Sequence, residues 1–215
     1  MDNKRIEREF AVMLDHNEFN QLKKELVGDD TDIKMNGFPY ELFEKLDDEQ
    51  RKDIYRYLLD NLPHGDWRVV AGLGELKNKG VEELLIRKLE EKKNDKDIMM
   101  SIHLAVSLWK ICGYDKSISF IISVVNNNTN NLEAIKALGN FNDKDTLRLL
   151  LNILDGDYYL ARSFAVQSIL KRIGYINNPH KKSHPWISCI MSERIEDVNK
   201  CKNEILTFLK NNLYL

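Results

Sequence analysis

The sequence contains few residues that break helices. Only four prolines and ten glycines occur among its 215 residues. Proline and glycine are the residues least compatible with a helix interior, so their scarcity favours helix over sheet. Apolar residues make up 43% of the chain and charged residues 31%, which is typical of a folded protein rather than a disordered one. The composition therefore predicts an all-α protein with a sizeable core.

Cysteine and long apolar runs are also scarce. The three cysteines, Cys112, Cys189 and Cys201, form no CxxC pair, which predicts reduced and mostly buried thiols in a cytosolic protein. The first ten residues, MDNKRIEREF, are charged and lack the apolar segment of a signal peptide. No apolar run is long enough to cross a bilayer. We therefore expect a cytoplasmic protein.

Motifs that carry catalysis or bind metals are not found. The chain has no GxGxxG, P-loop, HExxH or GxSxG sequence. His180 and His184 are four residues apart, but Pro179 and Pro185 disfavour the regular helix that would bring them together, and no Cys, Asp or Glu is near them in sequence. We expect no enzymatic activity, no cofactor and no metal site.

The net charge of −2 excludes a global basic field that would attract nucleic acid. The charge is unevenly distributed, because residues 1–65 carry −6 and residues 66–215 carry +4. Two interpretations are open. The difference is either chance variation among solvated helix faces or an acidic N-terminal face for a basic partner. Under the second interpretation the candidates are Asp29, Asp30 and Asp32.

Residues 1–65 predict helices without an obvious repeat. Apolar residues recur at helical spacing over residues 2–27, and residues 28–38 are polar and bounded by glycine, as expected for a loop. A short helix follows this loop, and Asp47 or Asp48 then caps a longer one. This part of the chain is interpreted as a helical N-terminal cap or as degenerate repeats.

From residue 66 the chain repeats itself. VAGLGELKNKGVEELL, starting at Val70, and NLEAIKALGNFNDKDTLRLL, starting at Asn131, share a Leu-Gly pair, a polar break and a Leu-Leu pair. Leucines in like positions, each followed three residues later by an apolar residue, recur at intervals of 35, 30 and 32 residues: Leu73, Leu108, Leu138 and Leu170. A helical pair that recurs at this spacing is typical of an α-solenoid.

The segments EAIKALGNFNDKDTLRLLLNIL and ARSFAVQSILKRIG resemble HEAT repeats of the short bacterial type, first recognised in relatives of phycobilisome lyases. The resemblance covers about residues 66–175, and the second repeat departs from it by having Leu108-Trp109 in place of Leu-Gly. It implies an α-α superhelix of antiparallel helical pairs. The predicted fold is therefore a superhelix of HEAT-like pairs preceded by the helical N-terminal cap, as one continuous domain.

Acidic residues near helix ends are interpreted as caps rather than as acid–base pairs. Asp143 with Asp145, and Asp60 with Asp66, are each assigned to a helix start, where capping explains a carboxylate without catalysis. Asp157 is predicted to cap the helix that follows Gly156.

Residues 176–188 are predicted to form a loop, because they contain two prolines and an Asn pair. A last helix with the stripe Ile195, Val198, Ile205, Phe208 and Leu209 then closes the core. Within the loop, the basic and aromatic run HKKSHPW contributes Lys181, Lys182 and Trp186 as contacts for phosphate or an acidic partner. Trp186 has two open interpretations, an interface anchor or a residue that packs back on the last helices.

In HEAT-like arrays the second helix of each pair lines the concave face, where partners usually bind. Alignment of the repeats places polar residues of these helices in two columns, Glu83, Ser119 and Arg148, and one turn later Arg87, Ser123 and Asn152. We expect them to be exposed. They are candidate partner contacts, with an ordinary solvated surface as the alternative.

The function expected from these features is non-catalytic protein binding. A small helical-repeat protein that is rich in Asn and Lys and has no enzyme motif resembles bacterial immunity proteins. That resemblance implies binding and neutralisation of a toxin domain, often a basic nuclease delivered by a neighbouring cell through contact-dependent growth inhibition or a secretion system. The alternatives are a HEAT-like DNA glycosylase or other nucleic-acid-binding protein, and a chromophore lyase.

Overall fold

The computed structural model describes residues 16–27, 40–64, 67–92, 98–175, 184–212 and 214. Over these residues the chain forms α-helices, two short 3₁₀ segments and no β-strand, so the prediction of an all-α fold is confirmed. The first six helices are α1 (His16–Val27), α2 (Tyr40–Glu44), α3 (Asp48–Asn61), α4 (Trp67–Leu76), α5 (Glu82–Lys92) and α6 (Ile98–Cys112). The next six are α7 (Lys116–Asn127), α8 (Leu132–Leu138), α9 (Lys144–Ile153), α10 (Tyr159–Arg172), α11 (Pro185–Ile190) and α12 (Ile195–Asn211).

The chain divides into two compact units, Met1–Gly113 and Tyr114–Leu215. In the first unit α4 is the central helix, since it contacts α1, α2, α3 and α6. Val69, Val70 and Leu73 of α4 are accordingly inaccessible to solvent. The helices before residue 65 and the first predicted repeat therefore share one core.

The first Leu-Gly pair lies where α4 and α6 approach most closely. Ser107 of α6 donates its hydroxyl to the Val70 carbonyl of α4, with a distance of 2.8 Å, and both groups are buried. A Cβ at Gly74 would lie 2.6 Å from Ser107 Oγ and 3.0 Å from its Cα. Glycine is required here because any side chain would hold the two helices apart.

The second Leu-Gly pair makes the same kind of contact in the second unit. Ser168 of α10 donates to the Ile135 carbonyl of α8 at 3.0 Å, and a Cβ at Gly139 would lie 3.1 Å from Ser168 Cα. Ser107 and Ser168 thus hold equivalent positions in the two contacts. Their positions in sequence differ by one residue, because Ser107 lies one residue before Leu108 and Ser168 lies two residues before Leu170. The repeated motif therefore records a repeated helix contact, and each of the four aligned leucines is fully buried.

Helix α9 is covered on several sides, as its wide apolar surface predicts. It contacts α7, α8 and α10. Its buried residues lie on one face about 120° wide: Thr146, Leu147, Leu150 and Ile153. Leu149 and Leu151 are half-buried, so the neighbouring helices also cover part of the surface beyond that face.

Two of the predicted caps are confirmed. Asp47 caps α3, where its carboxylate accepts the Gln50 N–H at 2.7 Å and the Gln50 side chain accepts the Asp47 N–H, forming a capping box. Asp143 caps α9 by accepting the N–H groups of Asp145 and Thr146, each at 3.0 Å. Both satisfy amides that have no partner within their helix.

Two other cap assignments are wrong. Helix α10 begins at Tyr159, and its N-cap is Tyr158, whose side chain makes no capping hydrogen bond. Asp157 instead offers its backbone carbonyl to the Arg162 guanidinium, which lies one turn inside the helix. Asp60 lies near the end of α3 rather than at a helix start, and Asp66 is outside the described residues.

Asp143 makes the stability of the second unit dependent on pH. Partial burial raises the pKa of Asp143, but the hydrogen bonds from Thr146 and the charge of Arg172 outweigh burial and hold the pKa below its usual value. A carboxyl group whose folded pKa lies below its unfolded pKa contributes stability above the unfolded value, and that stability is lost as pH falls through the folded value. Asp143→Asn is therefore expected to lower the free energy of unfolding by about 1 kcal/mol at pH 7, and by much less below about pH 3.

Urea unfolding of wild type and variant at pH 7 and at acid pH measures this change. Asp145→Asn is the matched control, because Asp145 is an exposed carboxylate in the first turn of the same helix and pairs only weakly with exposed Arg148. If the free energy of unfolding of Asp143→Asn differed from that of wild type by the same amount at both pH values, the claim that Asp143 makes stability depend on pH would be contradicted.

Part of the loop predicted for residues 176–188 is helical, so that prediction is wrong for residues 185–188. The structure places α11 at Pro185–Ile190, and residues 176–183 lie outside the described residues. Proline is well suited to the first position of a helix, because its missing N–H would have no partner there. His184 supplies the N-cap, since its Nδ1 accepts the Trp186 N–H at 3.2 Å. His184 followed by Pro185 therefore marks the start of a helix rather than part of a loop.

The stripe predicted on α12 is correct at its centre and wrong at its edges. Val198, Ile205 and Leu209 are buried, whereas Ile195 is 68% exposed and Phe208 is 38% exposed. At about 100° per residue, Ile195 and Phe208 lie on opposite edges of the face centred on Ile205. The six-residue helix α11 does not cover that whole width.

Two further observations concern cysteines and the membrane. Cys201 is buried and Cys189 half-buried, but Cys112 is exposed, so the prediction of mostly buried thiols is wrong for Cys112. Among the residues that the structure describes, no helix combines the length and the apolar character needed to cross a membrane.

Candidate protein-binding surface

A row of four aromatic side chains lies on the surface of the second unit. Tyr175 follows α10, His184 caps α11, Trp186 is in the first turn of α11, and Phe208 is near the end of α12. Neighbouring ring centroids are 4.5, 4.7 and 5.6 Å apart, each pair meeting edge to face. This geometry is the favourable one for aromatic pairs. We call these residues the aromatic row.

The aromatic row is partly open to solvent. Tyr175 is 63% exposed and Phe208 38% exposed, and Trp186 and His184 are half-buried. A continuous apolar patch on a protein surface is uncommon and marks a site of interaction more often than a single exposed apolar residue does. The row is therefore the strongest apolar candidate for a binding surface in the second unit.

The aromatic row carries no charge at neutral pH. Burial lowers the pKa of His184 below its usual value. Its Nδ1 accepts a hydrogen bond from the Trp186 backbone, which requires an unprotonated nitrogen. A neutral imidazole at this position leaves an apolar edge for a partner to cover without desolvating an ion.

A shallow, open groove lies along α12 beside the aromatic row. Its volume is about 810 Å³, and Trp186 and Phe208 form its apolar part. The remaining lining is polar and rich in amides: Glu196, Asn199, Lys200, Asn203, Glu204, Thr207 and Asn211. Amide side chains both donate and accept hydrogen bonds, so this surface offers contacts to a peptide backbone as well as to side chains. Apolar anchors beside adaptable polar groups are the usual make-up of a protein interface.

Trp186 combines the two alternatives left open by the sequence. Its ring packs edge to face on Phe208 of the last helix, and it also remains half-exposed at the border of the groove. Its backbone carbonyl accepts a hydrogen bond from the Cys201 thiol at 3.4 Å. The ring is therefore held in place by the fold while one part of it faces solvent.

The six polar residues predicted to line the second helices are all exposed. In the first unit, Glu83 and Arg87 lie one turn apart on α5. In the second unit, the exposed residues lie on helices that contact one another, Ser119 and Ser123 on α7 and Arg148 and Asn152 on α9. Arg148 is engaged only by the exposed carboxylate of Asp145, at 3.2 Å. Exposure is thus as expected, and a binding role for these residues stays a prediction.

Five predicted contact residues have no described position. Asp29, Asp30 and Asp32, and also Lys181 and Lys182, lie outside the residues that the structure describes. The two lysines belong to the segment between Tyr175 and His184, so sequence alone connects them to these two residues of the aromatic row.

Sequence reasoning missed Tyr175 and Phe208. Phe208 was assigned to the core because it fits the helical stripe of α12, and Tyr175 follows a glycine in a turn. The available signal was that Phe208 lies at the edge of the stripe, where burial depends on the width of the neighbouring helix. Only the packing of α11 on α12 determines that Phe208 is exposed.

One further aromatic contact is made in the first unit, where Trp67 stacks on His103 with ring centroids 4.3 Å apart. Within the described part of the chain, no three His, Cys, Asp or Glu side chains are grouped so that they could hold a metal ion.

Comparison with models of protein families, with curated proteins and with solved structures finds no match to this chain.

Proposed function

We propose that this chain is a non-catalytic protein-binding module built from HEAT-like helical pairs. The observation that carries the proposal is the aromatic row beside the amide-rich groove of α12. Tryptophan at the centre of an interface contributes more binding energy than most residues, especially where neighbouring side chains exclude water. An open groove lined by α12 and by Trp186 of α11 fits a protein surface better than a small molecule, which needs an enclosed pocket.

The repeated helix contact supports the solenoid part of the proposal. Ser107 bonds a carbonyl of α4 and Ser168 bonds a carbonyl of α8, in each case next to a glycine. In both units, therefore, the first helix of one predicted pair packs on the first helix of the next. Stacking of like helices is how solenoids bury their core, and it leaves the outer faces free for partners.

The specific form of the proposal is an immunity protein that binds and neutralises a bacterial toxin domain. It rests on the resemblance to immunity proteins and on the charge of −6 over residues 1–65, which would complement a basic nuclease. Under this proposal the aromatic row provides the apolar anchor. The exposed polar residues of α7 and α9 provide selectivity, and the net charge of residues 1–65 speeds association with a basic partner through long-range attraction.

The test is capture of a partner by the tagged chain from its source cells, followed by measured affinity for the purified partner. One stoichiometric protein with toxic activity that is abolished by the chain supports the proposal. Nucleic acid in the eluate, with no protein, favours the glycosylase alternative instead. Retention of DNA that falls steeply with salt would confirm that alternative.

Two substitutions locate the interface once the partner is purified. Trp186→Ala is expected to weaken binding at least tenfold, because it removes the largest apolar anchor. Lys200→Glu, in the polar part of the groove, is expected to change affinity several-fold without unfolding the chain, since Lys200 is exposed. Lys136→Glu is the matched control, because Lys136 is an exposed lysine of α8 in the same unit and does not line the groove. Unchanged affinity for both groove variants would place the interface elsewhere.

A further inference from the structure

Cys189 and Cys201 lie on facing turns of α11 and α12. The Cys189 thiol donates to the Asp197 carbonyl of α12 at 3.2 Å, and the Cys201 thiol donates to the Trp186 carbonyl of α11 at 3.4 Å. In an α-helix the carbonyl of Asp197 accepts the N–H of Cys201, so the Cys189 sulfur lies within about 6 Å of the Cys201 nitrogen. Each thiol thus reaches the turn that carries the other.

The two thiols also interact with each other. Burial raises the pKa of the Cys201 thiol to about 12, and the charge and hydrogen bond of the Cys189 thiol add to the increase. The two thiol hydrogen bonds place each sulfur against the turn that carries the other cysteine. Cys201 is fully buried, whereas Cys189 is partly accessible to solvent. A reagent in solution therefore reaches Cys189 first.

We infer that Cys189 and Cys201 form a redox-active dithiol, which a low-molecular-weight disulfide such as glutathione disulfide oxidises to an intramolecular disulfide. The inference concerns the chain alone and does not depend on the proposed partner. The geometry requires only that α11 and α12 remain packed, because each thiol already lies against the turn that carries the other.

The reaction proceeds in two exchange steps. The Cys189 thiolate attacks one sulfur of glutathione disulfide, the S–S bond breaks, and one glutathione leaves as a thiolate that takes up a proton. The Cys201 thiol then loses its proton and attacks the Cys189 sulfur, which releases the second glutathione. Two protons and two electrons pass from the dithiol to glutathione, and the new bond joins Cys189 to Cys201.

The environment of each thiol sets the rate of its step. Only the thiolate attacks, and a thiol with a pKa of about 12 is almost fully protonated at neutral pH. Burial of Cys201 therefore slows the second step relative to the first. Oxidation also removes both thiol hydrogen bonds, including the one to the Trp186 carbonyl beneath the aromatic row.

The experiment incubates the reduced full chain with excess glutathione disulfide at pH 8, alkylates free thiols and maps the peptides by mass spectrometry. The expected product carries a Cys189–Cys201 crosslink. Cys201→Ser is expected to retain glutathione on Cys189, because no second thiol displaces it. Cys112→Ser is the control that removes the exposed third thiol, and it should form the same crosslink. A wild-type chain that keeps glutathione on Cys189, or that forms the crosslink only in urea, would overturn the inference.

A thermal melt provides a second measurement on the Cys112→Ser chain. The crosslink closes a loop of about 13 residues in the unfolded chain, so the oxidised form is expected to have a Tm about 5 °C above the reduced form. A crosslinked product with a lower Tm would show that the bond forms only by distorting the packing of α11 on α12, and would also overturn the inference.

Discussion

Replacement of Arg162 by alanine is expected to lower the free energy of unfolding of the second unit by about 3 kcal/mol, one of the two largest effects that we predict. Arg162 is buried, and its guanidinium donates to the carbonyls of Ile190 at 3.1 Å, Gly156 at 2.9 Å, Asp157 at 3.2 Å and Ser192 at 3.5 Å. Gly156 and Asp157 lie in the turn between α9 and α10, and Ile190 and Ser192 lie at and just after the end of α11, so Arg162 joins α10 to both places. Alanine would leave them without their donor in a buried site, and each such loss is costly.

Urea unfolding of Arg162→Ala and Arg148→Ala separates this effect from the loss of a positive charge. Arg148 is also in the second unit, but its side chain is exposed and pairs only with exposed Asp145. Its replacement is expected to cost less than about 0.5 kcal/mol. The free energy of unfolding of Arg162→Lys should lie between those of the two alanine variants. Lysine keeps the positive charge but lacks the planar guanidinium group that donates to several carbonyls at once. Similar stability of the two alanine variants would show that the carbonyl contacts of Arg162 contribute little.

Gly74→Ala is expected to lower the free energy of unfolding by about 2–3 kcal/mol, although alanine is favoured over glycine in a helix by nearly 1 kcal/mol. The added methyl group would lie 2.6 Å from Ser107 Oγ and 3.0 Å from Ser107 Cα. The second atom belongs to the backbone, so relief requires α6 to move away from α4 and lengthens the bond from Ser107 to the Val70 carbonyl. Interiors are packed too densely to absorb such a shift without loss.

Gly72→Ala is the matched control for this substitution. It lies on the same helix and is equally buried, but its added methyl group would meet the end of the Leu58 side chain at 2.9 Å, which can change rotamer. We expect its cost to be less than half that of Gly74→Ala, measured by urea unfolding. Equal costs for the two variants would show that helix separation is not what makes Gly74 necessary. Gly139→Ala tests the second contact and should cost about 1–2 kcal/mol, since the added methyl group would lie no closer than 3.1 Å to Ser168 Cα and Cβ and 3.3 Å to the Lys136 carbonyl oxygen.

Local signals in the sequence predicted most of the helices correctly. Asp47 and Asp143 cap helices because a short acidic side chain before a helical stripe reaches the free amides of the first turn, wherever the helix then packs. The four aligned leucines could be assigned to the core for the same reason, because their regular helical spacing is visible in the sequence without knowledge of the tertiary structure. The loop assignment failed at Pro185, because proline disrupts a helix interior and favours a helix start, and its role depends on the residue before it.

The candidate site depended much more on tertiary structure. Arg162 gave no signal in sequence, because its partners are backbone carbonyls up to 30 residues away. Phe208 resembled a core residue until the short helix α11 left the edge of α12 uncovered. The proximity of Cys189 and Cys201 likewise needs the antiparallel return of the chain, since their spacing of twelve residues has no helical meaning.

The sequence by itself therefore determined the helical class, the main core positions, the caps of α3 and α9 and the exposure of six polar residues, since short-range periodicity and capping encode all of these. The tertiary structure alone decided why Gly74 and Gly139 must be glycine, which carbonyls Arg162 joins, and which aromatic side chains reach the surface. Each of those outcomes depends on how closely two helices approach. That distance is the joint result of side chains far apart in the chain, and no single segment specifies it.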